Sequence, residues 1–146
     1  MKLIRKLKTA ASMPAGNKLL FVEALFTSAY VRFTLSYLPF KIVKGWLGKT
    51  NFVNDEELTP EQLIQVRRVH HALKLCNQYA FWKTECYTLA LTGKILLKRR
   101  NVDSTLHIGF KKHNGKHEGH AWLTTPKGVI AGNMDLTQFQ VNAFFC

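Results

Sequence analysis

Acidic residues are scarce: nine aspartates and glutamates stand against 21 lysines and arginines, for a formal charge of +12. Such an excess suits nucleic acid, an anionic membrane surface or an acidic partner, and composition does not choose among them. Cysteine is also sparse. Three cysteines, an odd number with no secretion signal, argue against a disulfide framework and for a reducing, cytoplasmic compartment. No Cys-x-x-Cys pair exists, and Cys146 lacks the box that would make it a prenylation site. With no internal repeat and no low-complexity linker, the chain reads as a single domain over residues 1–146. An apolar, basic helical part (1–50) precedes the remainder (51–146).

A signal peptide fits poorly, because Pro14-Ala15-Gly16-Asn17 interrupts the basic start and no short apolar core ends in a small-residue cleavage site. The run from Leu19 to Leu38 is about long enough to span a bilayer, at roughly 20 residues. Glu23 and Arg32 lie inside it on nearly opposite helical faces, and each charge costs about 2.5–3.5 kcal/mol near the bilayer centre. A packed soluble helix is therefore expected, with peripheral membrane contact as the alternative. Pro39 should end it, and Ile42 to Gly48 should form a short helical tail or turn. Thr59-Pro60-Glu61 is a helix entry behind the acidic run Asp55-Glu56-Glu57, and the helix should run through Leu63, Val66, Val69 and Leu73 toward a packing cysteine, Cys76.

The next helix is the chemical centre of the chain. Leu89, Leu96 and Leu97 recur at helical spacing, Lys98-Arg99-Arg100 suit its negative end, and Thr84 is a plausible cap, so Cys86 falls in the first turn. A thiol there sits among unsatisfied N–H donors and partial positive charge, which favour thiolate and make a nucleophile. Apolar helices more often use cysteine as a small hydrophobe, so position alone does not decide the role.

Downstream, Ser104 to Phe110 alternates as a half-buried strand with Leu106, Ile108 and Phe110 on one face. A polar loop is expected over Lys111 to Gly119, then a strand opening with His120-Ala121-Trp122, a turn at Pro126-Lys127-Gly128, and a strand through Val129 to Asn133. Trp122 reads as packing against the histidine. His113, His117 and His120, with Cys86 or His107, have spacings a zinc ion could use. The glycines at Gly115 and Gly119 break the helix that would align them, so no metal or cofactor is expected.

A cysteine opening a helix, a basic helix end, a strand ending Ile108-Gly109-Phe110, and His120-Ala121-Trp122 heading another strand resemble the transglutaminase-like cysteine peptidases that mature bacterial lasso peptides. Tyr37-Leu38-Pro39-Phe40 is similar to a stretch of the small standalone leader peptidases of that group. The resemblance implies an α+β fold, a transglutaminase-like or papain-like core in which N-terminal helices precede a Cys-bearing helix packed on a small antiparallel sheet. It implies a Cys86 nucleophile, a His120 acid/base, and a third residue on the following strand, for which Asn133 and Asp135 are near-equal candidates. The Cys86 N–H is the natural oxyanion donor, and Gln78 and Trp82 are the candidates for a second.

The implied partners are the leader region of a precursor peptide as substrate, a separate leader-binding protein, and an ATP-dependent lasso cyclase, with no nucleic acid. No leader-binding domain is expected within residues 1–50, which lack strand signals. Two other classes remain open: a non-catalytic basic module for an acidic peptide or nucleic acid, and an acyltransferase or transglutaminase on the same scaffold.

Overall fold

The computed structural model describes residues 2–50, 56–82, 84–132 and 139–146. Five helices precede four strands: α1 (Lys2–Ser12), α2 (Ala15–Tyr37), α3 (Phe40–Lys44), α4 (Pro60–Tyr79), α5 (Cys86–Lys98), β1 (Thr105–His113), β2 (Lys116–Thr125), β3 (Gly128–Ala131) and β4 (Gln140–Phe145). The strands form one antiparallel sheet in the order β3-β2-β1-β4. This is the expected α+β class. Helix α1 falls within the N-terminal part expected to be helical, and β4 is an unanticipated strand.

Helix α2 is a packed helix whose buried positions are mostly small or hydroxyl-bearing: Ala24, Thr27, Ser28 and Thr34, with Leu20 and Val31. Two of the hydroxyls turn back on their own helix, Ser28 Oγ to the Leu25 carbonyl and Thr34 Oγ1 to the Tyr30 carbonyl, both at 2.8 Å, so burying them leaves no donor unmet. Leu38, held extended ahead of Pro39, ends the helix as the proline requires. Glu23 is drawn toward the end of α5, with Arg100 at 2.6 Å and Arg99 at 3.1 Å. The hydrogen bond from Arg100 outweighs partial burial and holds this carboxyl below its usual range. Arg100 also donates to the Leu96 carbonyl, so the basic end of α5 both caps its helix and ties it to α2.

Helix α4 begins as its sequence requires. Thr59 accepts from the Gln62 N–H while the Gln62 side chain accepts from the Thr59 N–H, a capping box followed by Pro60 at the first helical position. Asp55 lies outside the described residues. Cys76 is fully buried with its sulfur 3.3 Å from Ser28 Oγ, and burial pushes its thiol up, as suits a packing residue.

The stretch Lys111–Gly119 is not a loop. Strand β1 continues to His113, β2 begins at Lys116, and Asn114-Gly115 joins them with both φ values positive, 49° and 77°. That is the two-residue turn an Asn-Gly pair favours, and Lys111 pairs with Glu118 across it at 3.3 Å. His120 therefore lies inside β2 rather than at a strand start. His117 stands opposite Lys112 on the exposed flank, and no group of three His, Cys, Asp or Glu side chains is gathered at metal-ligand range among the described residues.

Helix α5 lies between the other helices and the sheet. It is buried along most of its length, including Thr88, Ala90, Leu91 and Leu97. Lys94 is buried too, at 5% exposure, and its Nζ donates to the carbonyls of Ser104 at 2.7 Å and Phe145 at 3.4 Å. Those carbonyls stand at the head of β1 and the end of β4, so one ammonium joins helix, first strand and last strand. Lys49 and Cys146 exchange two backbone hydrogen bonds beside a Thr50–Phe145 bridge, which fastens the chain after α3 to β4.

Burial lowers the Lys94 ammonium's affinity for its proton relative to an ordinary lysine. The unfolded chain binds that proton more tightly, so the wild type gains stability as pH rises toward the ordinary lysine value, and the gain is absent below the lowered folded value. Lys94→Met, which keeps the stem and deletes the donor, is expected to lose about 1–3 kcal/mol at neutral pH. In urea unfolding the gap to wild type should widen between pH 7 and 10. A gap that narrows instead would show that the ammonium is stabilised, not penalised, by its site.

Candidate active site

Cys86 is the first residue of α5 and is half-buried. The residue before it, Glu85, makes no side-chain cap hydrogen bond to the first turn of the helix. The expected cap, Thr84, instead donates from Oγ1 to Asn77 Oδ1 on α4 at 2.6 Å. This difference matters chemically: an uncapped helix start leaves its donors available to an anion.

Two contacts fix the course of α5 over β2. A Cβ added at Gly119 would lie 3.2 Å from Tyr87 Oη, and one added at Gly93 would lie 2.8 Å from Leu123 Cδ2. Tyr87 thus lies by Gly119 and Gly93 by Leu123, so helix and strand run the same way. The Cys86 end of α5 meets the Gly119–His120 segment. Burial, with the neighbouring Cys86 next, pushes the Tyr87 hydroxyl up.

His120 is 7% exposed. Cross-strand pairing sets it opposite Gly109, with His107 opposite Trp122, and alternation puts these four on the sheet face away from Ala121 and Leu123. The His120 ring lies 5.8 Å from the Trp122 ring and 5.1 Å from Phe139. On the other side of Trp122, His107 stacks almost parallel at 5.3 Å. Trp122 packs the histidine as anticipated. It can lie across β1 because Gly109 has no side chain: a Cβ there would come within 2.9 Å of the indole. Burial lowers the His107 imidazole's proton affinity, and its Nε2 shares a 2.8 Å hydrogen bond with Thr124 Oγ1.

One hydrogen bond sets the chemistry of His120. Its Nε2 is 2.8 Å from the Gly132 carbonyl, and a carbonyl only accepts, so Nε2 carries the proton. In the neutral ring Nδ1 is then the free base. Gly132 reaches this position with φ 76°, and an added Cβ would sit 2.5 Å from the Ala121 carbonyl. Sequence reasoning does not find Gly132 in this role, nor Phe139 or Tyr87; a glycine directly ahead of the two candidate third residues is the only signal for it.

Strand β3 ends at Ala131, ahead of Asn133 and Asp135, which are expected to share one strand face. Both fall outside the described residues. The Trp82 indole N–H is committed to Ser28 Oγ at 3.2 Å, which removes it as an oxyanion donor, and Gln78 is exposed on α4. No hydrogen bond joins Cys86 Sγ to the His120 ring among the described residues. The fold brings the turn bearing the thiol to the strand segment that bears His120, but α5 packs on the Leu123 face of β2 and the His120 ring lies on the opposite face, so the two side chains are not in contact in this structure.

Residues 34–143 match the transglutaminase-like superfamily domain, from within α2 to within β4. The match covers about three quarters of the chain, and the protein belongs to that superfamily. No curated protein and no solved structure matches it.

Gly132→Ala is expected to move the carbonyl that orients His120, at about 1–3 kcal/mol in stability from positive φ and the backbone clash. Nitrogen chemical shifts should show His120 as the Nε2–H tautomer in the wild type at pH 8, and a mixture of tautomers in the variant. A wild-type ring protonated on Nδ1 would contradict the arrangement.

Proposed function

From membership of the transglutaminase-like superfamily, whose members are typically cysteine-dependent enzymes, we propose that this chain is a cysteine peptidase that removes the leader from a ribosomally made lasso peptide precursor. The observation carrying the proposal is a cysteine at the uncapped start of a helix seated on the strand that bears a histidine of fixed tautomer.

In this mechanism the His120 ring, which rests on the face of β2 away from α5, comes within reach of Cys86 when substrate binds; the thiol then gives its proton to Nδ1, and the thiolate attacks the carbonyl of the bond between leader and core. The oxyanion accepts hydrogen bonds from first-turn N–H groups of α5. The tetrahedral adduct collapses as imidazolium Nδ1 returns its proton to the departing amine, which frees the core peptide and leaves the leader as a thioester on Cys86. His120 then takes a proton from water, the hydroxide attacks the thioester, and the thiol is regenerated with the leader as a free acid. In the resting ring the Gly132 carbonyl holds Nε2–H, and Asn133 or Asp135 is the further group for the imidazolium.

A separate leader-binding protein presents the precursor, and an ATP-dependent cyclase closes the released core. A cavity of about 440 Å³ between α4 and β3 is lined by Leu63, Val66, Val129 and Ile130 together with Arg67, His70 and Lys127, a mixed apolar and basic lining suited to a peptide with acidic side chains. β3 leads from it directly to Gly132.

The test is cleavage of a precursor peptide followed by mass spectrometry, with and without the leader-binding protein. Cleavage by the wild type should rise at least tenfold with that protein, and Cys86→Ala and His120→Ala should each lose at least about a thousandfold. Unchanged activity in Cys86→Ala would remove the mechanism. A product carrying an added amine instead of water would assign the chain to acyl transfer. Rates of cysteine alkylation near pH 6 give an independent check: Cys86 should react far faster than buried Cys76 and lose that advantage without His120.

A further inference from the structure

Helix α2 is built inside out. Its buried side is largely small and hydroxyl-bearing, whereas Leu19, Val22, Phe26, Tyr30, Phe33 and Tyr37 are exposed, from 45% at Val22 to 75% at Phe26. Projected at helical spacing of about 100° per residue, these six fall within one stripe roughly 80° wide. Along the axis the stripe runs about 27 Å. Soluble surfaces scatter single apolar residues but rarely align six large ones. The rings group along it, Phe33 against Tyr37 at 4.9 Å and Tyr30 against Trp46 at 5.5 Å.

The charge around the stripe has one sign. Residues 1–54 contain nine cations and a single acid, Glu23, which Arg99 and Arg100, just past the end of α5, occupy. Helix α1 supplies Lys2, Arg5, Lys6 and Lys8 between Leu3, Ile4 and Leu7, and docks at most marginally on any other element among the described residues. A short helix with apolar and basic residues at these spacings has the composition of a segment that lies in a lipid headgroup layer.

We infer that α1 and the outer face of α2 dock on an anionic lipid bilayer surface, with the α2 stripe entering the headgroup region and the cations of α1 on the lipid phosphates. A second copy of the chain is a poorer occupant, because pairing two stripes would bring like-charged segments together. Crossing the bilayer is opposed by the packing of α2 on α4 and α5 and by the Glu23 ion pairs, although α2 alone has the length and hydropathy of a span. A straight stripe lying along the surface reconciles both. The inference does not rest on the peptidase reading.

The test is co-sedimentation of the full chain with vesicles of phosphatidylcholine alone and of phosphatidylcholine with about 30% phosphatidylglycerol. Partition into the anionic vesicles should exceed that into neutral ones by about tenfold or more and fall with salt. Phe26→Ser with Phe33→Ser, and separately glutamine at Lys2, Arg5, Lys6 and Lys8, should each lower partition about tenfold or more, with circular dichroism and thermal unfolding confirming a retained fold. Brominated lipid should quench tryptophan emission, through Trp46 beside Tyr30. Absence of partition, partition unaffected by the stripe substitutions, or a self-association that those substitutions abolish while vesicles are ignored would each overturn the inference.

Discussion

The closeness of α5 to its neighbours at Gly93 is the constraint on which the rest depends. A methyl group there would meet Leu73 of α4 and Leu123 of β2, each at 2.8 Å, so helix, helix and sheet converge on a position with no side chain. This contact sets how far along β2 the helix begins. Six residues back toward its start, Tyr87 reaches Gly119, and Cys86 falls at the end of the helix beside the His120 segment. One residue on from Gly93, Lys94 turns to carbonyls of β1 and β4. The same helix position thus places the nucleophile at one end and secures the sheet's last strand near the other. The hydrophobic contacts supply most of the stabilisation, but the glycine decides where they occur.

What the sequence made legible follows from how local each signal is. Helix α4 carries its own start in Thr59, Pro60 and Gln62, and α2 its own stop in Pro39; both were readable because the determinants lie within one turn of the boundary. The Leu106, Ile108, Phe110 face was readable from alternation. The hairpin reads as a loop in the sequence because charge and histidines around Asn114-Gly115 look like solvent-exposed coil. The turn dipeptide was the stronger signal, and the Lys111–Glu118 pair shows the charges serving a ladder. Strand β4 was missed for a different reason: its order comes from β1 and from Lys49 and Thr50, partners remote in sequence. Thr84 shows the same limit in reverse, a good cap by type drawn to Asn77 by tertiary contact.

At the site, residues with reactive side chains could be named from sequence, and those that position them could not. Cys86 and His120 stand out by type. The group that selects the His120 tautomer is a backbone carbonyl, which every residue has, and only the positive φ of Gly132 aims it. The aromatic column is similarly a product of register: His107 meets Trp122 because β1 and β2 pair with Gly109 opposite His120, leaving room for the indole. Burial among these rings holds the imidazole against rotation, the condition under which a single hydrogen bond can decide which nitrogen serves as base. Positioning groups of this kind leave almost no compositional trace.

The charge of the chain can now be divided. The first 54 residues carry eight of the twelve net charges, whereas the remaining 92 contain twelve cations and eight acids, a nearly ordinary mixture. Several of those later cations are engaged locally, Arg99 and Arg100 by Glu23, Lys111 by Glu118, and Lys94 by backbone carbonyls. The field that steers an anionic partner therefore originates mainly from the N-terminal helices and not from the sheet that holds His120. Because screening confines such attraction to about 8–10 Å at physiological ionic strength, the excess acts where those helices lie. The basic character of the chain is thus a property of its N-terminal surface, and the chemistry at the Cys86 end of α5 has to be explained by local hydrogen bonds and burial instead.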